Sequence, residues 1–370
     1  MRKKREEQKM RTTKSRIMLT AGSTAVLLAL AGCAESASSR GPADTVAIDV
    51  GNNMTVNLKT SPNLKVAVFI PGVANAYGQA QELAAKETAK ELGMEMTLFD
   101  GSYDPSQQLN QMQTALASGD YDAAVVQALD GTVVCKTITE DYPKANILVV
   151  NNVTPLCEYG INQTGASAEE VWAPGTMNFV GSNNTRAYID GWFAAAAEAN
   201  PGKQKVVAVL GPAVAAQTRV IEVALAKFAK DNPDYTVDKV YTDYTTTGTF
   251  NETQTYLQGH PDTTLFLSMY TPDISRGIVE AVDDAGLLGK IHIVDQGFGG
   301  FSIEQIEAGN IQFSTLFFPY NGIKVSLETI AAAQRGDAGP RFVDDSVIGS
   351  AKSPFTITKD TISELPPGLR

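Results

Sequence analysis

Histidine and cysteine are scarce in this chain, two and three among 370 residues. That scarcity removes most ways of building a zinc centre, which draws on clustered His, Cys and carboxylate side chains. It also removes most nucleophilic catalytic constellations, which need a histidine near the nucleophile. His260 precedes Pro261 in a loop pattern and His292 falls inside a strand pattern, so neither stands beside a candidate nucleophile. The motifs GxSxG, HExxH and CxxC and the Walker A loop are all missing. "GFGG" at 297–300 is glycine-rich but lacks the third glycine of a dinucleotide fingerprint. Paired carboxylates at glycosidase spacing are the catalytic class that composition leaves open. No cofactor and no metal are expected, and the reading is non-enzymatic.

Positive charge is short beyond the first segment. Residues 1–16, "MRKKREEQKMRTTKSR", hold eight of the 30 basic residues and two of the 41 acidic ones, which leaves 22 against 39 and a net charge near −17. So acidic a surface repels phosphate backbones, and no nucleic-acid partner is expected. Ile17–Ala31 is apolar and small-residue in character, but shorter than the roughly 20 residues that a bilayer span needs.

A basic lead followed by such a run has the layout of a secretory signal. Leu30-Ala31-Gly32-Cys33 resembles the bacterial lipobox. The resemblance implies a signal peptide at 1–32, cleavage before Cys33, and lipidation of that cysteine at the cell membrane. Met10 is an alternative start. Residues 33–63 open with the small and polar stretch "AESASSRGPAD" and read as a flexible, lipid-anchored tether. Outside the cytoplasm the other two cysteines, Cys135 and Cys157, are expected as a disulfide rather than as metal ligands or a nucleophile.

After residue 63 the pattern changes. "LKVAVFIP" (64–71), "MEMTLFD" (94–100), "DAAVVQAL" (122–129) and "ANILVVNN" (145–152) are short, apolar, β-branched runs. Helical patterns lie between them: 78–93 is rich in Ala, Glu, Lys and Leu, and Leu109, Met112 and Leu116 repeat at i, i+3, i+7. The polar stretch 153–178 interrupts this rhythm, which resumes with "KVVAVLGP" (205–212), "VDKVYTDY" (237–244), "TTLFLSMY" (263–270) and "KIHIVDQG" (290–297). Strand alternating with helix predicts a doubly wound parallel sheet, and two such series in about 338 mature residues predict two similar α/β lobes. Residues 338–370 alternate apolar and polar positions and are expected to pack on the hinge.

An ordered set of loose motifs resembles the type 1 periplasmic binding proteins, the ribose- and galactose-binding family of bacterial ABC importers. The resemblance covers roughly 64–335. It runs through "NAY" (75–77), "ELGMEMTLFDGSYDPSQQLNQM" (91–112), "GDYDAAVVQALDG" (119–131), "VGSNN" (180–184), "AAQTRVIEVALAKF" (215–228) and "IEAGNIQFSTLFFPYNGIKVSLETI" (306–330). It implies a three-segment hinge near 152–178, 296–302 and 311–320. Lobe 1 would hold 64–178 and 318–370, and lobe 2 would hold 179–317. It also implies a monomeric solute receptor that hands a small sugar or polyol to ABC permease subunits. A sensor signalling to a membrane kinase, or a secreted carbohydrate-active enzyme, are the alternatives.

Ligands of open α/β sheets bind beyond the carboxyl ends of the strands. A sugar there needs aromatic planes for its C–H faces and amides, hydroxyls or charges for its hydroxyl groups. The strand ends supply Asn75, Tyr77, Tyr103, Gln127 and Asp130 from the first lobe. The second supplies Gln217, Arg219, Tyr244, Tyr270, Thr271, Asp295 and Gln296, with Phe317 and its neighbour Phe318 at the last crossing. Tyr77 and a second-lobe aromatic are expected to stack, Asp130 and Asp295 to accept hydroxyl protons, and Arg219 or Gln217 to donate. Competing readings make Asp130 a helix N-cap and pair Arg219 with Glu222. Thr271 stands where close sugar binders carry Asn, "DQG" (295–297) replaces "GFD", and Phe317 replaces a polar residue. These departures imply a more aromatic, less polar second-lobe wall.

Overall fold

A computed structural model describes residues 44–297, 299–315, 319–345 and 356–364. The signal, Cys33, Phe317 and Phe318 lie outside the described residues.

Part of the expected tether is folded. β1 (Thr45–Gly51) and β2 (Met54–Lys59) form an antiparallel hairpin. Its two-residue turn, Asn52-Asn53, has φ of 51° and 57°, the left-handed pair that a tight hairpin needs and that Asn tolerates. Ile48, Val50, Val56 and Leu58 alternate with exposed residues and are buried in the core of lobe 1. A tether running to residue 63 is thus corrected, since 45–59 fold as a hairpin whose period of two is easily missed after the small polar stretch before it.

Lobe 1 continues through β3 (Lys65–Ile70), α1 (Ala76–Glu91), β4 (Glu95–Asp100), α2 (Pro105–Ser118), β5 (Ala123–Val126), the short α3 (Tyr142–Lys144), β6 (Leu148–Asn152) and β7 (Asn178–Val180). Lobe 2 follows with α4 (Arg186–Ala199), β8 (Gln204–Leu210), α5 (Ala216–Asp231), β9 (Tyr235–Tyr241), α6 (Thr246–Gly259), β10 (Leu265–Ser268), α7 (Pro272–Asp284), β11 (His292–Asp295), α8 (Gly300–Ala308) and β12 (Phe313–Thr315). Helix α9 (Pro319–Gln334) and β13 (Phe342–Val343) return to lobe 1, and β14 (Thr356–Ile357) ends in lobe 2.

The two sheets have matching orders, β13-β7-β6-β5-β3-β4 and β14-β12-β11-β10-β8-β9, and every pairing in them is parallel except β12 with β14. Central strands such as β5, "AAVV", are buried at every position, because helices cover both faces of a parallel sheet. In both lobes the strand order reverses beside the first strand, between β3 and β5 and between β8 and β10. That reversal splays the following loops apart and opens a crevice at the carboxyl ends.

Three expectations about the boundaries are corrected. Residues 153–178 stay in lobe 1, where Val171 and Ala173 are buried and the Cys135–Cys157 disulfide clips the segment, so the first crossing lies at 181–185. The described residues of 296–302 lie inside lobe 2, after β11 and into the first turn of α8, so the crossing expected there is not found. The chain passes between lobes after β12, within the expected 311–320, and again after β13; Ile357 and Ile362 join the lobe 2 core, so 318–370 does not lie wholly in lobe 1. The polar character of 153–178 suggested a hinge, but a disulfide-stapled loop has the same composition.

Candidate functional site

The carboxyl ends of the two sheets meet around one cavity lined by Pro71, Asn75, Tyr77, Tyr103, Gln127, Leu129, Val153, Gln217, Tyr244, Tyr270 and Thr271. The space open to the centre of a water molecule is about 40 Å³, room for about three waters. The two lobes thus leave little free space between them at this point. Among the described residues no lining side chain carries a charge, so the wall offers tyrosine rings and hydroxyls, amides and one threonine.

Backbone geometry aims the rings. Tyr103 follows β4 with φ 56°, Tyr244 follows β9 with φ 64°, and Tyr270 follows β10 with φ 70°. A bulky residue in the left-handed region is an outlier held by its surroundings, and such strain gathers at binding sites. Two glycines leave room for the rings. A Cβ on Gly72 would come within 2.5 Å of the Tyr103 ring, and one on Gly211 within 2.0 Å of the Tyr244 ring. The two rings meet across the cleft with centroids 6.2 Å apart and planes tilted by 42°.

Internal hydrogen bonds lock the polar groups. The Tyr77 hydroxyl donates to Gln127 Oε1 at 3.1 Å, and Gln81 Nε2 donates to the same oxygen. Asn75 caps α1 by accepting from the Gly78 N–H at 3.0 Å, and Thr271 caps α7 by accepting from Ile274 N–H at 3.3 Å. The Tyr270 hydroxyl donates to the Gln217 carbonyl at 2.5 Å. Gln217 Nε2 donates across the cleft to Thr154 Oγ1, while the buried Gln217 Oε1 has no partner among the described residues. Burial pushes the Tyr77 and Tyr103 hydroxyls well above their ordinary range and that of Tyr244 up to about 12, so all stay neutral donors.

Eight of the expected site residues therefore converge: Asn75, Tyr77, Tyr103, Gln127, Gln217, Tyr244, Tyr270 and Thr271. Asp130 and Arg219 do not line the cavity. Asp130 Oδ1 accepts from Thr132 N–H at 2.8 Å and Thr132 Oγ1 at 2.5 Å, the turn-capping role that competed with ligand contact. Arg219 turns to Asp130 at 3.4 Å, and Glu222 pairs instead with Lys239. Asp295 is sealed inside lobe 2, where Ser275, Ser302, Ser314 and the Gly297 N–H all donate to its carboxylate. Four donors hold that charge in an apolar interior, and none is left for a ligand. Gln296 is equally buried and accepts from the Tyr270 N–H at 3.3 Å. The last position, Phe317, lies outside the described residues. Pro71, Leu129 and Val153 line the cavity without having been expected. Strand-end position was a signal for all three, since Pro71 and Val153 directly follow β3 and β6 and Leu129 stands three residues beyond β5, but the positive φ of 58° that turns Val153 is one that no Val signals.

A family model described as a periplasmic binding protein domain matches residues 66–338. The chain belongs to the periplasmic binding protein family. Family members bind substrates rather than transform them and work outside the cytoplasm. No curated protein shows a significant match to the chain. Solved structures share the fold of this binding protein at low identity. An ABC transporter solute-binding protein from Mycobacterium smegmatis with bound glycerol is 22% identical, with TM-score 0.67, over 82% of this chain and 96% of that one. The glucose-galactose binding protein GanP of Geobacillus stearothermophilus is 20% identical, with TM-score 0.63, over 81% and 99%. A solute-binding protein from Agrobacterium vitis with bound D-fucose is 16% identical, with TM-score 0.69, over 81% and 97%.

Proposed function

We propose that this protein is an extracytoplasmic solute-binding lipoprotein that closes its lobes on a small, uncharged, polyhydroxylated ligand, a sugar or polyol, and delivers it to an ABC importer. The carrying observation is the uncharged cavity with four tyrosines at the facing carboxyl ends of the two sheets. A pyranose or polyol presents C–H faces to such rings and hydroxyls to the amides. A charged solute would lose its hydration without gaining a counter-charge there. Gln217 Oε1 is buried without a partner among the described residues and suits a ligand hydroxyl. The glycerol and D-fucose bound by fold neighbours support the ligand class.

Lipid attachment at Cys33 would keep the receptor beside its permease, and two acyl chains give stable anchoring where one does not. Membrane fractionation of wild type against Cys33→Ala tests the anchor. Thermal denaturation of the purified protein against pentoses, hexoses, polyols, amino acids and sugar acids tests the ligand class. A ligand at 100 times its Kd adds about 2.7 kcal/mol of stability. A neutral sugar or polyol should give that response, whereas a response confined to charged solutes would sink the reading.

A further inference from the structure

Arg219 occupies a place that the ligand reading does not use. Its guanidinium sits between two lobe 1 carboxylates, Asp130 Oδ1 at 3.4 Å from Nη2 and Glu158 Oε1 at 3.8 Å from Nη1. Asp130 is mostly buried and Glu158 exposed, so the bridge runs from the buried corner beside the cavity to its rim. The N-terminus of α5, which carries Arg219, has no side-chain cap of its own. The Ala216 N–H instead donates across the cleft to the Leu129 carbonyl at 3.2 Å. The Leu129 side chain packs into the lobe 2 core. Two adjacent lobe 1 residues thus hold the start of a lobe 2 helix: the Leu129 carbonyl accepts one of its free N–H groups, and the Asp130 carboxylate takes the side chain of Arg219.

The carboxylates that grip Arg219 are themselves tied together. Asp130 precedes Gly131, whose carbonyl accepts from the Cys157 N–H at 3.1 Å, and Glu158 follows Cys157. The Cys135–Cys157 disulfide, with Cα atoms 4.9 Å apart, fastens the same two loops. We propose that Arg219 is a positioning residue for lobe closure: it latches α5 to Asp130 and Glu158 outside the ligand cavity, and the Cys135–Cys157 clip holds both carboxylates in place for it. The inference rests on the two-lobe fold and not on the identity of the ligand.

Hydrogen exchange of the Ala216 amide in the full-length protein without ligand reads closure directly, because that amide is protected by a bond between lobes. Amides of β10 serve as the reference for global opening. Arg219→Met should speed exchange at Ala216 by roughly 1.5- to 5-fold, the range of a partly exposed ion pair, while leaving β10 unchanged. The double variant Asp130→Asn, Glu158→Gln should do the same. Replacing both disulfide cysteines by serine should also speed exchange, and by less when Arg219→Met is already present. An unprotected Ala216 amide in the wild type would overturn the proposal. So would unaltered exchange in Arg219→Met, or cysteine and arginine effects that simply multiply, since independent effects mean the clip does not act through the arginine.

Discussion

Tyr103 and Tyr244 occupy corresponding positions in the two lobes, each three residues beyond the last residue of its edge strand, and their rings meet at 6.2 Å across the cleft. Each ring lies over a glycine, Gly72 beneath Tyr103 and Gly211 beneath Tyr244. The lobes therefore present a matched pair of aromatic planes, each aimed by a left-handed backbone and a missing Cβ.

Removing either plane should weaken ligand binding. A stacked aromatic contributes its buried area plus about 0.5–1.5 kcal/mol of ring-specific attraction. Tyr103→Ala and Tyr244→Ala should thus raise Kd by roughly 10- to 100-fold, measured by calorimetry with the neutral sugar found in the thermal screen. Gly211→Ala should mimic Tyr244→Ala, because the new methyl group takes the ring's place. Wild-type affinity in Gly211→Ala would show that the Tyr244 ring is not where the ligand is held.

Asp345 should make stability depend on pH. Burial beside the first crossing pushes its carboxyl from 3.8 up to about 6, against the opposing pull of the Ser182 hydroxyl and N–H, which both donate to it. A raised acid pKa means that the folded protein binds the proton more tightly than the unfolded chain. Its favourable contribution is complete below pH 4, fades as pH rises to about 6, and is gone above. Asp345→Asn keeps an acceptor for Ser182 and removes the titration. Relative to wild type it should gain on the order of 3 kcal/mol between pH 4 and pH 7 in urea unfolding. Parallel pH profiles for the two proteins would count against this.

Loss of the Cys135–Cys157 bridge should lower stability by about 3 kcal/mol, the loop-entropy figure for a closed loop of this size. Of the cavity residues only Val153 lies in the bridged segment, and the polar groups that would read a sugar lie outside it, so ligand preference should persist in the Cys135→Ser, Cys157→Ser variant even if affinity falls. A changed rank order of sugars would show that the loop shapes the cavity.

The hairpin before lobe 1 should behave as core rather than as tether. Leu58 is 1% exposed among lobe 1 core residues. Leu58→Ala should cost about 2–5 kcal/mol in denaturant unfolding. An unaltered midpoint would restore the view of this segment as a loosely held extension.

The strand and helix rhythm was legible in residues 64–297 because buried parallel strands are short β-branched runs and their helices carry a 3.6-residue period. The positions of Asn75, Tyr77, Tyr103, Gln127, Tyr244 and Tyr270 at strand ends followed from that rhythm, and the cavity gathers them. Asp130, Arg219 and Asp295 show where such reading stops. Each has the chemistry to hold a sugar hydroxyl. Yet a threonine turn, a cross-cleft carboxylate and a cage of three serines claim them first. The sequence by itself determined the α/β class, the two series of strands and the chemical types at the strand ends, because these depend on local periodicity. Only the tertiary structure decided which side chains face the cavity, where the chain crosses between lobes, and which charges are already paired. Those outcomes depend on contacts between residues as far apart as Asp130 and Arg219, or Ser182 and Asp345, which leave no period along the chain.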